Sequence, residues 1–365
     1  MDQRIITDYA GLDDWLLSSG AAKLMLVCDK FLEQHDIVRH FLTLGPRIGV
    51  SLFTDFTPNP QYESVVDGVR RFHAEGCSAI VAVGGGSAMD VAKCIKLYSG
   101  MDPERNYLEQ TIVPNDIPFL AVPTTAGTGS EATRFAVIYY QGVKQSVADL
   151  SCIPAAVFLD SGLLKTLPEY QKKSTMMDAF CHAMESLWSV NSTEESQTYS
   201  FDAIRTILAH MDGYLANTEE GRRNMLLAAN TAGKAINITQ TTAGHAMCYK
   251  LTSLYGCAHG HAAFLCNRVL LPWTIRHTDA CIDPRGKQYL TDALQKIALA
   301  MGCDCPEAAA DKLNALFEKL ALPVPQAAPE DYAILCGSVN PVRLKNYPIR
   351  LSEEDIDTLY HSILR

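Results

Sequence analysis

The run Ala79-Ile-Val-Ala-Val83 is apolar at every position and passes directly into Gly84-Gly85-Gly86-Ser87, after which Ala88-Met-Asp90-Val-Ala-Lys93 takes up helical spacing. A strand with no polar side has to be covered on both faces, and a strand that turns through glycine into a helix is the crossover unit of a parallel sheet. Leu24–Cys28, Gly49–Phe53, Phe119–Val122 and Ala156–Leu159 are runs of the same kind, separated by amphipathic stretches. Up to about residue 165 the pattern therefore predicts an α/β domain with a parallel sheet.

After Pro168 the texture changes to long segments with 3.6-residue apolar periodicity, among them Thr175–Val190, Gln197–Leu215 and Leu290–Met301. This part predicts an all-α domain. The boundary falls near residues 162–168, giving an α/β dinucleotide-binding domain over 1–165 and a helical metal- and substrate-binding domain over 166–365. Two domains also suit a chain of 365 residues, because single cores stop growing at about 250–300 residues.

The hydrophobic fraction of 48% and charged fraction of 20% are those of a globular protein. A net charge of −10 opposes binding to nucleic acid or to anionic membranes, yet a pocket with a few aimed cations can still take a small anion. The twelve cysteines are scattered without a CxxC pair, which fits a reducing cytoplasm better than a disulfide or zinc framework. The N-terminal stretch lacks a signal-peptide core, and no segment has the ~18 uninterrupted apolar residues of a membrane span. A cytoplasmic protein with no membrane and no nucleic-acid partner is expected.

The glycine turn is built to hold phosphate, since glycines let backbone N–H groups approach a diphosphate and the helix N-terminus adds partial positive charge. A tight strand-to-helix turn without ligand would read the same way, and the turn is not the GxGxxG fingerprint. Ser87 with Asp90 has the spacing of a capping box. A second cluster follows a strand at Pro123-Thr124-Thr125-Ala-Gly127-Thr128-Gly129-Ser130-Glu131, and two such turns at strand ends in one domain point to a ligand there. Asp29, just after the first strand, can accept from a ribose 2′-hydroxyl and would repel a 2′-phosphate, favouring NAD over NADP. An ordinary solvated turn aspartate fits equally well.

Asp178 and His182 stand one helical turn apart, so both side chains share a face. Alone the pair is more often a hydrogen bond than a metal site. Three of the ten histidines, His245, His259 and His261, fall between positions 245 and 261. One carboxylate with several neutral imidazoles suits Zn²⁺ or Fe²⁺ acting as a Lewis acid.

Taken together, the motifs resemble the iron-containing (group III) alcohol dehydrogenase family, whose relatives include glycerol dehydrogenase and dehydroquinate synthase. Gly84–Lys93 is similar to the family's GGGSxxDxxK and Pro123–Glu131 to its PTTxGTGSE. Asp178 and His182 match its DxxxH pair, and His245 and His259 its third and fourth ligands. Thr57-Pro-Asn59-Pro60 and Asn346–Asp355 resemble further family segments, so the matches run over nearly the whole chain. The resemblance implies the dehydroquinate synthase-like fold, NAD(H), one divalent metal (Fe²⁺ or Zn²⁺) held by Asp178, His182, His245 and His259 in the interdomain cleft, and a homo-oligomer, a dimer. It implies cofactor contacts from Asn59, Gly84, Gly85, Gly86, Ser87, Thr124, Thr125, Thr128 and Ser130, with Asp90, Lys93 and Lys144 in support.

One departure stands out. Many members carry a histidine four residues after the third ligand for proton delivery, where this chain has Tyr249. Tyr249, His261 or the nicotinamide ribose through water are the candidates for that role, and His261 reads equally as a plain helix-start residue. The implied chemistry is hydride transfer from reduced nicotinamide to a metal-polarised aldehyde, with no protein nucleophile. The segments around the ligands are polar for an alkanol pocket. They resemble the sulfoacetaldehyde and phosphonoacetaldehyde reductase subgroup, with Lys250, Arg343 and Arg350 as candidate partners of an anionic head group or plain surface charges. A carbocyclic synthase, a polyol dehydrogenase and a non-catalytic nucleotide or metal sensor are the competing classes.

Overall fold

A computed structural model describes residues 3–44 and 47–365. Contacts divide the chain into an α/β unit, Met1–Thr125 with Gly129–Leu164, and a helical unit, Ala126–Thr128 with Lys165–Arg365. The α/β unit holds the strands β1 (Arg4–Ile6), β2 (Lys23–Cys28), β3 (Gly49–Phe53), β4 (Ala79–Gly84), β5 (Phe119–Pro123), β6 (Phe135–Tyr140), β7 (Val143–Ala148) and β8 (Ala156–Phe158). Its helices are α1 (Tyr9–Ser18), α2 (Asp36–Thr43), α3 (Tyr62–Ala74) and α4 (Gly86–Tyr98).

Six strands form one parallel sheet in the order β1-β8-β5-β4-β2-β3. The unbroken apolar runs explain this arrangement: every residue of β4 and of β5 is buried. Leu24, Leu26, Val81, Val83, Leu120 and Val122 pack with Leu12, Leu16, Val38 and Phe41 of α1 and α2 in one core layer. Each such side chain contributes about 1.5–3 kcal/mol by leaving water. Chain order reverses between β2 and β4, so their carboxyl ends form the crevice where open α/β sheets take ligands.

Two elements lie outside the sequence expectation. β1 is a three-residue edge strand paired only with β8, too short to show a periodicity. β6 and β7 form an antiparallel hairpin. Its two-residue turn, Gln141 at φ 51° and Gly142 at φ 75°, has the positive φ values that match strand twist.

The helical unit contains α5 (Glu169–Trp188), α6 (Glu194–Leu215), α7 (Glu219–Thr239), α8 (Ala243–Tyr255), α9 (His259–Arg276), α10 (Lys287–Ala300), α11 (Pro306–Leu320), α12 (Asp331–Gly337), α13 (Pro341–Leu344) and α14 (Glu353–Ile363). From Met176 to Trp188, α5 is buried all round and packs against α6, α7 and α9. A helix so placed presents polar residues to other helices rather than to water. Among the described residues no helix is long and apolar enough to cross a membrane.

Candidate metal and cofactor sites

The centre of the helical unit is assembled from three helices. Asp178 and His182 come from α5, His245 from the first turn of α8, and His259 opens α9. Gly260 makes the approach possible: a Cβ there would collide with the Ser174 carbonyl oxygen and stand 2.6 Å from Asp178 Cβ, so only glycine lets α9 dock on α5. Oxygen Oδ1 of Asp178 is then 3.4 Å from His245 Nε2 and 3.9 Å from both His182 Nε2 and His259 Nε2. The ligand atoms of Asp178, His245 and His259 lie within 4.8 Å of one another. The His182 ring stacks on His245 with centroids 4.6 Å apart.

These separations test whether the residues fit an ion. Ligands bound at about 2.0–2.2 Å around a tetrahedral cation stand about 3.3–3.6 Å from each other, whereas good N–H···O bonds close to about 2.9 Å. The Asp178–His245 separation matches that spacing and the other two are a few tenths of an ångström wider; all three are too long for a strong hydrogen-bonded cluster. The donor set, one carboxylate with imidazoles, suits Fe²⁺ or Zn²⁺.

Electrostatics support the same orientation. Burial alone would raise the Asp178 carboxyl, but the imidazoles of His182, His259 and His245 hold it well below the usual carboxylate range. Burial lowers His182 to about 4, so that ring is neutral and has a lone pair to donate.

A residue missed at the sequence level fixes His245. Glu185, fully buried, sits 2.6 Å from His245 Nδ1. Because a carboxylate only accepts, Nδ1 carries a proton, and Nε2, 3.4 Å from Asp178 Oδ1, is the nitrogen that would bind an ion; burial lowers the ring's pKa, but Glu185 and Asp178 outweigh it and raise it to about 9. The carboxylate is itself held by the Thr242 N–H at 2.6 Å, the Thr242 hydroxyl at 2.8 Å and Asn267 Nδ2 at 2.7 Å. Burial would push the Glu185 carboxyl up; the His245 ring and these donors keep it low, at about 2. The signal was available, since Asp178, His182 and Glu185 follow at i, i+4 and i+7 on one helix face. His259 has a softer neighbour, Cys248 Sγ at 3.7 Å from its Nδ1.

Tyr249 lies against the same centre, its ring stacked on His259 at 5.6 Å and 21°. Burial raises its phenol well above the ordinary value, while Arg343 pulls it down. Arg343, on α13 packed against α8, donates from Nη1 to Gln240 Oε1 at 3.0 Å. Arg350 is exposed and Lys250 half-buried. His261 is fully buried and faces other groups: Nδ1 meets the Tyr170 hydroxyl at 3.0 Å, and its own N–H donates to Ser174 Oγ.

In the α/β unit, Asp29 and the glycine turn meet at the crevice between β2 and β4. The Gly85 N–H donates to Asp29 Oδ2 at 3.3 Å. At Gly84 a Cβ would strike Asp29 Oδ2 and stand 2.6 Å from Ala88 Cβ. The Thr124 N–H donates to Gly84 O at 3.1 Å, and Thr125 lies 3.9 Å from where a Gly85 Cβ would be. The capping box expected of Ser87 and Asp90 does not form. The helix starts at Gly86 with Gly85 as its N-cap and no side-chain cap.

Asp90 instead accepts from Ser130 Oγ at 3.3 Å, and burial pushes its carboxyl up to about 6 against the pull of Lys93 and the Val137 N–H. Asn59 is exposed at φ 58°. Lys144 lies on β7 and acts on Asp90 through its charge. Thr128 groups with the helical unit.

A glycine turn at a strand end in the α/β unit and an Asp-His cluster in the helical unit are the parts expected of a metal-dependent oxidoreductase that uses a dinucleotide. Residues 8–161 match the model of the iron-containing alcohol dehydrogenase family, and residues 172–364 that of its C-terminal domain. The chain belongs to that family. It is 31% identical over 316 residues to phosphonoacetaldehyde reductase of Streptomyces viridochromogenes, covering 81% of this chain and 79% of the relative. It is 27% identical to lactaldehyde reductase of Escherichia coli over 96% of this chain and 94% of that one. The structure of sulfoacetaldehyde reductase from Bifidobacterium kashiwanohense in complex with NAD+ superposes with a TM-score of 0.88 at 26% identity, over 100% of this chain and 96% of that chain.

Proposed function

We propose that the protein reduces a two-carbon aldehyde with an anionic head group, sulfoacetaldehyde or phosphonoacetaldehyde, to its alcohol with NADH in the cytoplasm. The observation that carries this reading is Arg343, docked on Gln240 and carried by α13, which packs against α8, the helix that bears His245 and Tyr249. A guanidinium offers a tetrahedral oxyanion two parallel N–H donors. The names of the phosphonoacetaldehyde and sulfoacetaldehyde reductases among the relatives point the same way.

Asp178, His182, His245 and His259 would hold a divalent ion, which when bound would polarise the aldehyde oxygen as a Lewis acid, and a bound dinucleotide would supply the hydride. The chain's own residues orient and protonate. Glu185 locks the His245 tautomer. The first-turn N–H groups of α4 and the loop at Thr124 and Thr125 take the diphosphate, and Asp29 takes a ribose hydroxyl, which selects NADH. Tyr249 keeps its phenol proton because burial disfavours the phenolate, which makes it the candidate proton donor to the product oxygen.

The test follows NADH and NADPH oxidation with sulfoacetaldehyde, phosphonoacetaldehyde, glycolaldehyde and propanal, before and after chelation and re-addition of Fe²⁺ or Zn²⁺. An anionic aldehyde preferred at least tenfold in kcat/KM, with NADH and only with metal, is expected. Equal rates on anionic and neutral aldehydes would remove the head-group reading.

A further inference from the structure

Gln240 closes α7 with φ 59° and ψ 175°, a backbone region that only glycine occupies without strain. It is one of few non-glycine residues with positive φ among those described, and the others do not adjoin the metal centre's supports. Strain of this kind persists only where the surroundings enforce it. Here the chain is pinned on both sides. The Gln240 N–H donates to Ile236 O at 2.8 Å, the Thr239 hydroxyl donates to Gln240 O at 2.9 Å, and Asn346 Nδ2 donates to Thr241 O at 3.0 Å. Two residues on, Thr242 grips Glu185, which holds His245.

A glycine would satisfy this turn without strain, so the side chain itself needs a reason. Its carboxamide oxygen accepts from Arg343 Nη1 at 3.0 Å, and among the described residues no other side-chain hydrogen bond engages that guanidinium. Holding one corner of a planar fork fixes the direction of its other N–H groups. The neutral amide does this without cancelling the charge, which a carboxylate would.

We propose that Gln240 is the positioning residue for head-group selection: its strained backbone aims the carboxamide at Arg343 and holds the guanidinium where α13 packs on α8, as a docked clamp for a sulfonate or phosphonate. The proposal rests on Arg343 being the anion partner. It gives the segment Thr239–Thr242 two tasks, with Gln240 serving the anion side and Thr242 the metal side.

The test compares Gln240→Gly, Gln240→Leu and Arg343→Gln in the intact, metal-loaded protein. KM and kcat are read with the preferred anionic aldehyde and with propanal, alongside metal content and the thermal midpoint. Gln240→Gly is expected to raise the midpoint by about 2 °C by removing the strain, to raise KM for the anionic aldehyde at least tenfold, and to leave metal content and propanal kinetics unchanged. Gln240→Leu, which keeps the Cβ and lacks the acceptor, is expected to raise the anionic KM equally without the gain in midpoint. Arg343→Gln raises it further.

An anionic KM within twofold of the parent in both Gln240 variants, while Arg343→Gln raises it, overturns the role of Gln240 and leaves the head-group reading standing. A parent protein that does not distinguish anionic from neutral aldehydes, or an Arg343→Gln variant with unchanged anionic KM, overturns both. Equal KM increases for anionic aldehyde and propanal overturn the proposal by showing a general structural effect.

Discussion

Each unit buries a polar centre, and the two are built in opposite ways. In the α/β unit, Lys93 is wholly buried and the three N–H bonds of its Nζ are shared among Ser130 O at 2.6 Å, Phe135 O at 2.7 Å, and the hydroxyls of Ser130 and Thr133, each at 3.1 Å. Backbone and hydroxyl oxygens surround the ammonium, which offsets its desolvation. In the helical unit, three imidazole nitrogens face one carboxylate oxygen at 3.4–3.9 Å, distances longer than those of good hydrogen bonds. A centre whose donors already meet acceptors ties loops together; a centre whose polar atoms stop short of bonding each other leaves room for a ligand. By this criterion Lys93 secures the 130–135 segment, and any cofactor contact of that loop depends on it indirectly.

The contrast is best challenged at the metal centre first. Asp178→Ala removes the only carboxylate among the proposed ligands, and activity is expected to fall about 10³-fold or more with metal content near zero by elemental analysis. Retained stoichiometric metal would count against the ligand set. Glu185→Gln keeps the shape and removes the charge behind His245. Metal affinity should weaken about 10–100-fold in a competition titration, and an unchanged affinity would reduce Glu185 to a packing residue.

Lys93→Ala should cost about 3 kcal/mol in denaturant unfolding by leaving the oxygens around it unpaired, while the metal content of the folded protein stays unchanged. The smallest effect concerns Glu75, which Lys23 and Arg71 grip and hold down at about 2. A carboxyl whose folded-state value is depressed stabilises above its ordinary value of 4.5 and loses that contribution as pH falls toward 2. Glu75→Gln should therefore flatten the stability profile between pH 4.5 and 2, by less than about 1 kcal/mol because the pair is partly exposed.

Much of the fold could be read from the chain because burial on both faces leaves unbroken apolar strands, as in Ala79–Val83. The helices begin earlier than periodicity indicated, α5 at Glu169 and α10 at Lys287, since first turns are solvated and carry little apolar signal. The hairpin at Phe135–Ala148 escaped notice because its second strand, Val143–Ala148, is neither continuously apolar nor strictly alternating. At the metal centre the histidines were conspicuous by scarcity, whereas Glu185 and Asn267 were not, being common residue types whose role exists only once α5, α8 and α9 meet. The Ser87 and Asp90 spacing misled for a physical reason: three glycines let the helix start one turn-step early, which carried both side chains past the cap.

The three imidazoles also differ in their access to water. The side chains of His245 and His182 are 2% and 6% exposed, and that of His259 is 39% exposed. An ion held at this centre would meet solvent on the His259 side, where the neighbour of the ring is the Cys248 thiol instead of a carboxylate.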